Sequence, residues 1–247
     1  MENSKTLSFK KGFRDGLPIG LGYLSVAFAF GVQASLLGLP IYFSALISMT
    51  NLTSAGQLAG ITVIAALGSI AEMLLIQAVI NSRYFLMSVA LSQKLDSSFT
   101  LSKRFLLSAF ITDEIFAVAV SQKENLNTKY FFALAVLPYV GWTTGTVLGA
   151  VAGEVLPVEL QSALGIALYA MFIAIIIPPA TEKLSVLSVV VLSAGLSCLF
   201  YYLPALKNGV SQGIAVVICA VFSSIIAALV FPVKDEEIKE GEKIQNE

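Results

Sequence analysis

The chain has no histidine, and only two cysteines and one tryptophan occur among its 247 residues. Without histidine, neither a Ser-His nucleophile pair nor an HExxH zinc site can form. Cys198 and Cys219 lie in apolar stretches without CxxC spacing, so no disulfide framework and no zinc site are predicted. An aspartyl site needs two membrane-embedded aspartates, and only Asp113 qualifies. The sequence therefore predicts a protein that is not an enzyme and uses no metal and no cofactor.

Charge is scarce as well. Charged residues make up 13% of the chain against 57% hydrophobic residues, and no charged residue occurs between Asp15 and Glu72. The net charge of -1 offers no basic surface for nucleic acid. Most apolar residues fall in runs of roughly 20 residues, the length that crosses a hydrocarbon core of about 30 Å. The composition predicts an all-α, polytopic membrane protein.

The apolar runs predict about seven transmembrane helices, over residues 17–37, 55–80, 105–120, 130–151, 160–177, 184–203 and 210–231. Residues 41–49 are too short to cross a membrane and lead into a group of turn formers at 50–57. A broken or re-entrant segment is therefore predicted near residues 41–57. Residues 84–92 are also short, and they predict a separate re-entrant or interfacial helix.

Lysine and arginine set the predicted orientation. They cluster before the first apolar run and before the run that starts at residue 105, so both flanks should be cytoplasmic. Seven crossings would then place the C-terminus outside, with Lys123 and Lys129 on the outer side. The predicted organisation is a cytoplasmic basic N-terminus (1–15), a single transmembrane domain (16–232) and a polar C-terminal tail (233–247).

Six motifs follow one another along the chain: GLPIGLGYLSVAFAFGVQASLLGL, TSAGQ, NSRYFLMSVALS, ITDEIFAVA, GWTTGTVLGAVAG and GIALYAMFIAIIIP. In this order and at these spacings they resemble the large subunit of the AzlC-type branched-chain amino-acid transport family. The resemblance extends over nearly the whole chain, from about residue 10 to residue 231. It implies export or permeation of leucine, isoleucine, valine and small relatives, together with a short membrane subunit of the AzlD type as partner.

These features predict a secondary transporter that moves branched-chain amino acids across the membrane, outward and coupled to protons. The alternative is a passive channel or a structural membrane subunit of a larger complex. Flux measurements distinguish the three. Flux through a carrier saturates with substrate concentration and is inhibited by a competing substrate, whereas flux through a channel does not saturate at similar concentrations. A structural subunit shows no flux.

The break at residues 50–57 is the predicted substrate site. A helix that starts at a break inside the membrane presents free backbone N–H groups and the positive end of its dipole, which can hold a carboxylate. A loop at the membrane surface is the alternative interpretation. The candidate substrate-binding residues are Asn51, Thr53, Ser54, Gly56, Gln57, Asn81 and Arg83. Arg83 could instead neutralise an acid or anchor its helix at the interface.

Three acids within apolar runs are candidates for proton coupling or for binding the substrate ammonium: Glu72, Asp113 and Glu114. Ionisable side chains at membrane depth are costly and usually functional, and a chain without histidine must use carboxylates for proton transfer near neutral pH. Two structural alternatives remain open. Glu72 could form an ion pair with Arg83, and Thr112 could cap a helix whose first turn contains the other two acids.

A glycine recurs every fourth residue in one apolar run, at Gly141, Gly145, Gly149 and Gly153. Such a ridge lets a neighbouring backbone approach closely, within the bundle or from a partner subunit, and indicates helix packing. We expect it to exceed the internal needs of the chain and to contact the small subunit.

Overall fold

The computed structural model describes residues 7–232, and these form eleven α-helices. The helices are α1 (Phe9–Leu36), α2 (Ile41–Thr50), α3 (Ser54–Ala65), α4 (Ile70–Ser92), α5 (Leu101–Ser108), α6 (Asp113–Val120), α7 (Thr128–Val155), α8 (Val158–Glu182), α9 (Leu184–Tyr202), α10 (Pro204–Gly209) and α11 (Gln212–Val230). The chain divides into two compact units, residues 1–69 with 80–171 and residues 70–79 with 172–247. The predicted tail at 233–247 lies outside the described residues.

The all-α membrane fold is confirmed, whereas the predicted number of spans is not. Among the described residues, five helices are long and apolar enough to cross a membrane, namely α1, α4, α7, α9 and α11. With 25 residues, α8 is long enough as well. The first span starts earlier than predicted, because α1 already begins at Phe9 within the segment expected to be a separate N-terminus.

The central element of the first unit is a pair of parallel helices, α1 and α7. Gly12 and Gly16 of α1 lie against the carbonyl groups of Tyr130 and Leu134, and towards the other end Gly149 of α7 lies against that of Phe28. The contacts advance in the same direction along both helices, so the two run parallel. Glycine permits this approach because it has no Cβ, and helices that cannot rely on a hydrophobic driving force in lipid associate by such close fit.

Helices α2 and α3 form a re-entrant hairpin at the C-terminal end of α1. Leu39, just before α2, and Ile61 of α3 both pack against Phe30 and Ala34 near that end. The connection between the two helices, in contrast, inserts Leu52 against Tyr23, in the middle of α1. The hairpin therefore enters and leaves at one end. The broken or re-entrant segment predicted near residues 41–57 is confirmed.

Helices α5 and α6 form a second re-entrant hairpin, which enters from the opposite end of the unit. Its start is tied to the start of α7, since Ser98 and Thr128 form a side-chain hydrogen bond of 2.9 Å. Its end returns to the same place, where Lys94 Nζ donates to the carbonyl oxygen of Val120. The predicted span over residues 105–120 is wrong, because Thr112 starts a new helix in the middle of that apolar run.

Two further predictions about α3 and α4 are wrong. Residues 55–80 are not one helix, because α3 ends at Ala65 and a turn in which Leu67 has φ 53° separates it from α4. Residues 84–92 are not a separate short helix, since they complete α4. The polar residues at 81–83 suggested a helix end, but polar side chains do not by themselves break the backbone hydrogen bonds of a helix. Helix α4 therefore continues through them.

The hairpin geometry gathers positive charge at one end of the first unit. Lys11 donates to the side chain of Gln122 at 2.5 Å, and Lys94 donates to the carbonyl oxygen of the same residue at 2.6 Å. Lys123 and Lys129 flank this region in the chain and lie at the same end as Lys11 and Lys94, so the predicted crossing between these lysines is wrong. The re-entrant path of α5 and α6 is the reason, because it returns the chain without crossing.

The second unit is more open than the first. Helices α9 and α11 pack together, and Ser193 contacts the carbonyl oxygen of Cys219 at 3.5 Å. No described residue of α9 is buried. The cysteines lie on these two helices as separate thiols, Cys198 exposed and Cys219 buried.

Candidate functional site

The tips of the two hairpins meet on two aromatic residues of the helix pair. Tyr23 lies at the midpoint of α1 and Trp142 at the midpoint of α7, and their rings make an edge contact at 5.2 Å between centroids. Tyr139 joins the tips from α7. Its hydroxyl donates to the carbonyl oxygen of Met49 at 3.2 Å, and its ring makes an edge contact with Phe110. Both helix breaks therefore lie at the middle of the membrane-spanning pair.

A chain of buried polar side chains holds the first tip. Trp142 Nε1 donates to Gln57 Oε1 at 2.8 Å, and Gln57 Nε2 donates to Ser48 Oγ at 2.9 Å. Ser48 is also hydrogen-bonded to Thr146 at 2.7 Å. Only 1% of Gln57 is exposed, and its amide already has a partner at either atom. This residue ties α3 to α7, and its predicted role in binding substrate stays a prediction.

The N-terminus of α3 lacks a side-chain cap. Thr53 occupies the cap position without making a capping hydrogen bond, and its hydroxyl donates instead to Asn51 Oδ1 at 2.7 Å. Ser54 is half-buried, and Gly56 is buried. Because Leu52 of the same connection packs against Tyr23 and Trp142, the break lies at depth and is not a surface loop. It presents the positive end of a helix dipole in the middle of the unit.

The second tip is organised around Thr112. Its hydroxyl oxygen accepts the backbone N–H of Ile115 at 3.4 Å and lies 2.6 Å from the hydroxyl oxygen of Tyr23. Asp113 and Glu114 form the first turn of α6, so the capping alternative describes this segment correctly. Their carboxylates have different partners, as adjacent positions on a helix require. Glu114 accepts a hydrogen bond from the Tyr23 hydroxyl.

Asp113 forms an ion pair with Arg83 of α4. The distance from Arg83 Nη1 to Asp113 Oδ2 is 2.7 Å, and 40% of each side chain is exposed. Arg83 also donates to the hydroxyl of Tyr84 at 3.1 Å. Of the alternatives for Arg83, neutralisation of an acid is therefore the observed one, and the acid is Asp113 rather than Glu72. Asn81 lies two residues earlier on α4 and is half-buried.

Glu72 belongs to the second unit, in the first turn of α4 rather than in the middle of a long helix. Its Oε1 accepts the hydroxyl of Ser211 at 2.6 Å and the backbone N–H of Gly213 at 2.9 Å. These two residues lie at the N-terminal end of α11, where a carboxylate stabilises the helix dipole. Glu72 therefore connects α4 to α11.

The glycine ridge of α7 is occupied within the chain. Gly141, Gly145 and Gly149 lie against the carbonyl groups of Gly20, Leu24 and Phe28 of α1, and Gly153 lies against Ser35. This finding corrects the expectation that the ridge contacts a second subunit. The sequence pattern does not show that α1 packs beside α7, so it could not identify α1 as the partner of the ridge.

Several residues of the site were not identified from the sequence. They are Tyr23, Ser48, Tyr139, Trp142 and Thr146. A signal was present, because Ser44 and Ser48, like Trp142 and Thr146, are spaced four residues apart within apolar runs. That spacing puts each pair on one helix face, and polar residues on one face of a membrane helix point to contact with protein rather than lipid. The described residues contain no cluster of three potential metal ligands.

Known proteins match the same part of the chain. The family model described as AzlC protein matches residues 18–156, which run from α1 to the end of α7 and include both hairpins. An uncharacterized membrane protein of Archaeoglobus fulgidus is 34% identical over 178 residues, or 71% of this chain and 77% of that protein. The inner membrane protein YgaZ of Escherichia coli is 30% identical over 186 residues, or 72% of this chain and 76% of YgaZ.

A third relative, an uncharacterized membrane protein of Helicobacter pylori, is 25% identical over 153 residues, or 59% of this chain and 66% of its own length. No solved structure gives a significant match. The family match covers more than half of the chain, and the relatives are membrane proteins, as the apolar helices of this structure require. The chain is a membrane protein that belongs to the AzlC protein family.

Proposed function

We propose that this protein is a secondary transporter that exports branched-chain amino acids across the cytoplasmic membrane, coupled to protons and together with a small AzlD-type subunit. Membership in the AzlC family supports the substrate class. The observation that carries the proposal is the meeting of two re-entrant hairpins, entering from opposite ends, at the middle of α1 and α7. Broken helices at mid-membrane are a common way for transporters to present backbone groups to a solute.

The two tips differ in charge, and this difference suits an amino-acid zwitterion. The uncapped start of α3, around Asn51, Thr53, Ser54 and Gly56, has a positive dipole end and would hold the carboxylate. The start of α6 contains acids, of which Asp113 is engaged by Arg83. Glu114 is therefore the acid that would receive the ammonium group. Leu52, Tyr23 and Trp142 supply apolar surface beside both tips.

Glu114 is also the carboxylate that we assign to proton coupling. Its partner is the hydroxyl of Tyr23, which also lies 2.6 Å from the hydroxyl oxygen of Thr112 and so joins the acid to the first helix of the pair. Loss or gain of a proton at Glu114 would change this contact at the tip of the second hairpin. Glu72 is assigned a structural role instead, because its carboxylate is held at the start of α11.

The coupling assignment predicts the behaviour of Glu114→Gln. This variant should lower leucine transport driven by a pH gradient at least tenfold, because an amide cannot carry the proton. Exchange of labelled for unlabelled leucine moves no net proton, so it should persist, but at a higher half-saturating concentration because the ammonium group loses its counter-charge. Both fluxes are measured in proteoliposomes, with Glu154→Gln, an exposed acid near the end of α7, as the control. Wild-type gradient-driven flux in Glu114→Gln would remove this residue from the coupling step.

The function itself is tested by efflux of labelled valine and leucine. We expect saturable efflux that unlabelled isoleucine inhibits, from cells that express the chain together with a small candidate subunit. Efflux that stays linear with concentration would identify a channel, and re-entrant hairpins from both sides occur in channels too. An absence of efflux with every small subunit tested would contradict transport and leave a structural role.

The topology makes a separate prediction about the C-terminus. Six crossings, by α1, α4, α7, α8, α9 and α11, return the chain to the side where it began, and the positive end of the first unit should face the cytoplasm. A C-terminal fluorescent-protein fusion should therefore be bright, and a C-terminal alkaline phosphatase fusion should be inactive. The opposite pair of results would restore the external C-terminus that the sequence predicted. Fusions at the loop after α7 serve as the external reference.

The small subunit would have to use a surface other than the glycine ridge, since α1 covers that ridge. Helix α9 offers one, because none of its described residues is buried. Pull-down of a tagged small subunit with the purified chain tests this part of the proposal. Full transport activity of the chain alone in liposomes would contradict it.

A further inference from the structure

A cavity of about 130 Å³ lies at the positive end of the first unit, between α4, α5 and the start of α7. Its apolar walls are formed by Leu91, Leu95, Phe99, Leu107, Ile111 and Phe131. The side chains of Leu91 and Leu107 are buried, so these walls belong to the core of the unit and not to its lipid-facing surface. The cavity runs from Arg104 near the start of α5 to Ile111 beside the second tip.

The volume of the cavity suits a small branched alkyl group. An apolar cavity of about 150 Å³ in another protein accommodates benzene, so the isobutyl or isopropyl group of an aliphatic amino acid would fit here. Water would be a poor occupant of the inner part, because it needs two to four polar partners and the walls supply few. The cavity therefore favours an apolar group at its inner end.

The mouth of the cavity carries one guanidinium group. Arg104 Nε donates to the carbonyl oxygen of Phe99 at 3.3 Å, which fixes the base of the group. Within the part of the chain that the structure describes, the one ion pair is that of Arg83 with Asp113, so no carboxylate of residues 7–232 neutralises Arg104. A guanidinium with free Nη groups binds a carboxylate through two parallel hydrogen bonds.

Three serine hydroxyls line the same cavity, and each of them already donates to a backbone carbonyl of its own helix. Ser88 donates to the carbonyl oxygen of Tyr84 at 2.7 Å, Ser92 to that of Val89 at 2.6 Å, and Ser108 to that of Phe105 at 2.8 Å. Each hydroxyl proton is therefore used within its own helix, and the oxygen lone pairs remain. An ammonium group, with three donors and no acceptor, is the matching ligand group.

We propose that this cavity is a second binding site, specific for a free aliphatic α-amino acid such as leucine. The side chain lies among the apolar walls, the carboxylate pairs with Arg104, and the ammonium group donates to the serine oxygens. The site lies at the positive end of the unit, apart from the uncapped start of α3 to which the transported amino acid was assigned. An amino acid that enters from the positive end binds in this cavity first and then moves on to the tips of the two hairpins.

Binding of labelled leucine to the full chain in lipid nanodiscs, measured by equilibrium dialysis, tests the proposal. The wild-type protein should bind leucine in preference to isoamylamine, which has the same alkyl group and amine but no carboxylate. Arg104→Gln should weaken leucine binding at this site at least tenfold and remove the preference there, whereas the site at the start of α3 should keep its own preference for leucine. Lys103→Gln is the matched control, because the neighbouring lysine does not line the cavity and donates to Ser98 instead.

The number of leucine molecules bound separates this site from the transport site. Two per chain are expected in the wild type, and one in Leu107→Trp, whose larger side chain fills the cavity. One molecule per chain that Arg104→Gln does not affect would overturn the second site and leave the transport site intact. One molecule that Arg104→Gln removes would support the second site and contradict the assignment to α3. Displacement of leucine by a fatty acid, or an equal loss in Lys103→Gln, would also overturn the proposal.

Discussion

Asp113→Asn should lower the stability of the protein by about 2–3 kcal/mol. The substitution leaves Arg83 without its ion-pair partner at membrane depth, where an uncompensated charge is costly. The value lies below that of a fully buried pair because 40% of each side chain is exposed. The loss should appear as a lower thermal midpoint in detergent and as several-fold less protein in the membrane.

A double-mutant cycle identifies the cause. Arg83→Gln should also destabilise, because it leaves Asp113 without a counter-charge. The double variant Arg83→Gln with Asp113→Asn should recover most of the loss, since a neutral pair can hydrogen-bond and leaves no charge behind. A double variant as unstable as the sum of the single variants would mean that the two residues act independently. The ion pair would then not be what joins α4 to the second hairpin.

The second large effect is expected at the glycine contact between α1 and α7. A Cβ added at Gly149 would overlap the carbonyl group of Phe28, and backbone cannot move aside as a flexible side chain can. We expect Gly149→Ala to cost about 3 kcal/mol or more, because relief requires the two helices to separate along their length. Loss of the monodisperse peak in fluorescence-detected size-exclusion chromatography would report the failure to fold.

Gly22→Ala is the matched control for this substitution. Gly22 lies on α1, and a Cβ added there would meet nothing within 4 Å. Alanine favours helix over glycine by roughly 1 kcal/mol in water, so this variant should be neutral or slightly more stable. Equal behaviour of the two variants would show that the contact between the helices is not the limiting feature of the fold.

The two hairpins illustrate how far the sequence could be interpreted. The first was predicted correctly, because Thr50, Asn51 and Ser54 form a polar group that favours caps and turns over a continuous helix. In the second, Thr112 is the one strong breaker in an otherwise apolar run, and the hydrophobic pattern outweighed it in the prediction. The cap was recognised as an alternative. The cap is supported by a contact of Thr112 with Tyr23, a residue far away in the chain that the local pattern could not reveal.

The sequence by itself determined that this is a helical membrane protein, that its acids at depth need partners, and that a helix breaks near residue 51. These follow from apolar length and local capping, which act over a few residues. Only the tertiary structure decided that Asp113 pairs with Arg83, that Glu72 holds the start of α11, and that α1 covers the glycine ridge. Each of these contacts joins helices distant in the chain, and a pattern within one helix shows which face is polar or small but not what meets it.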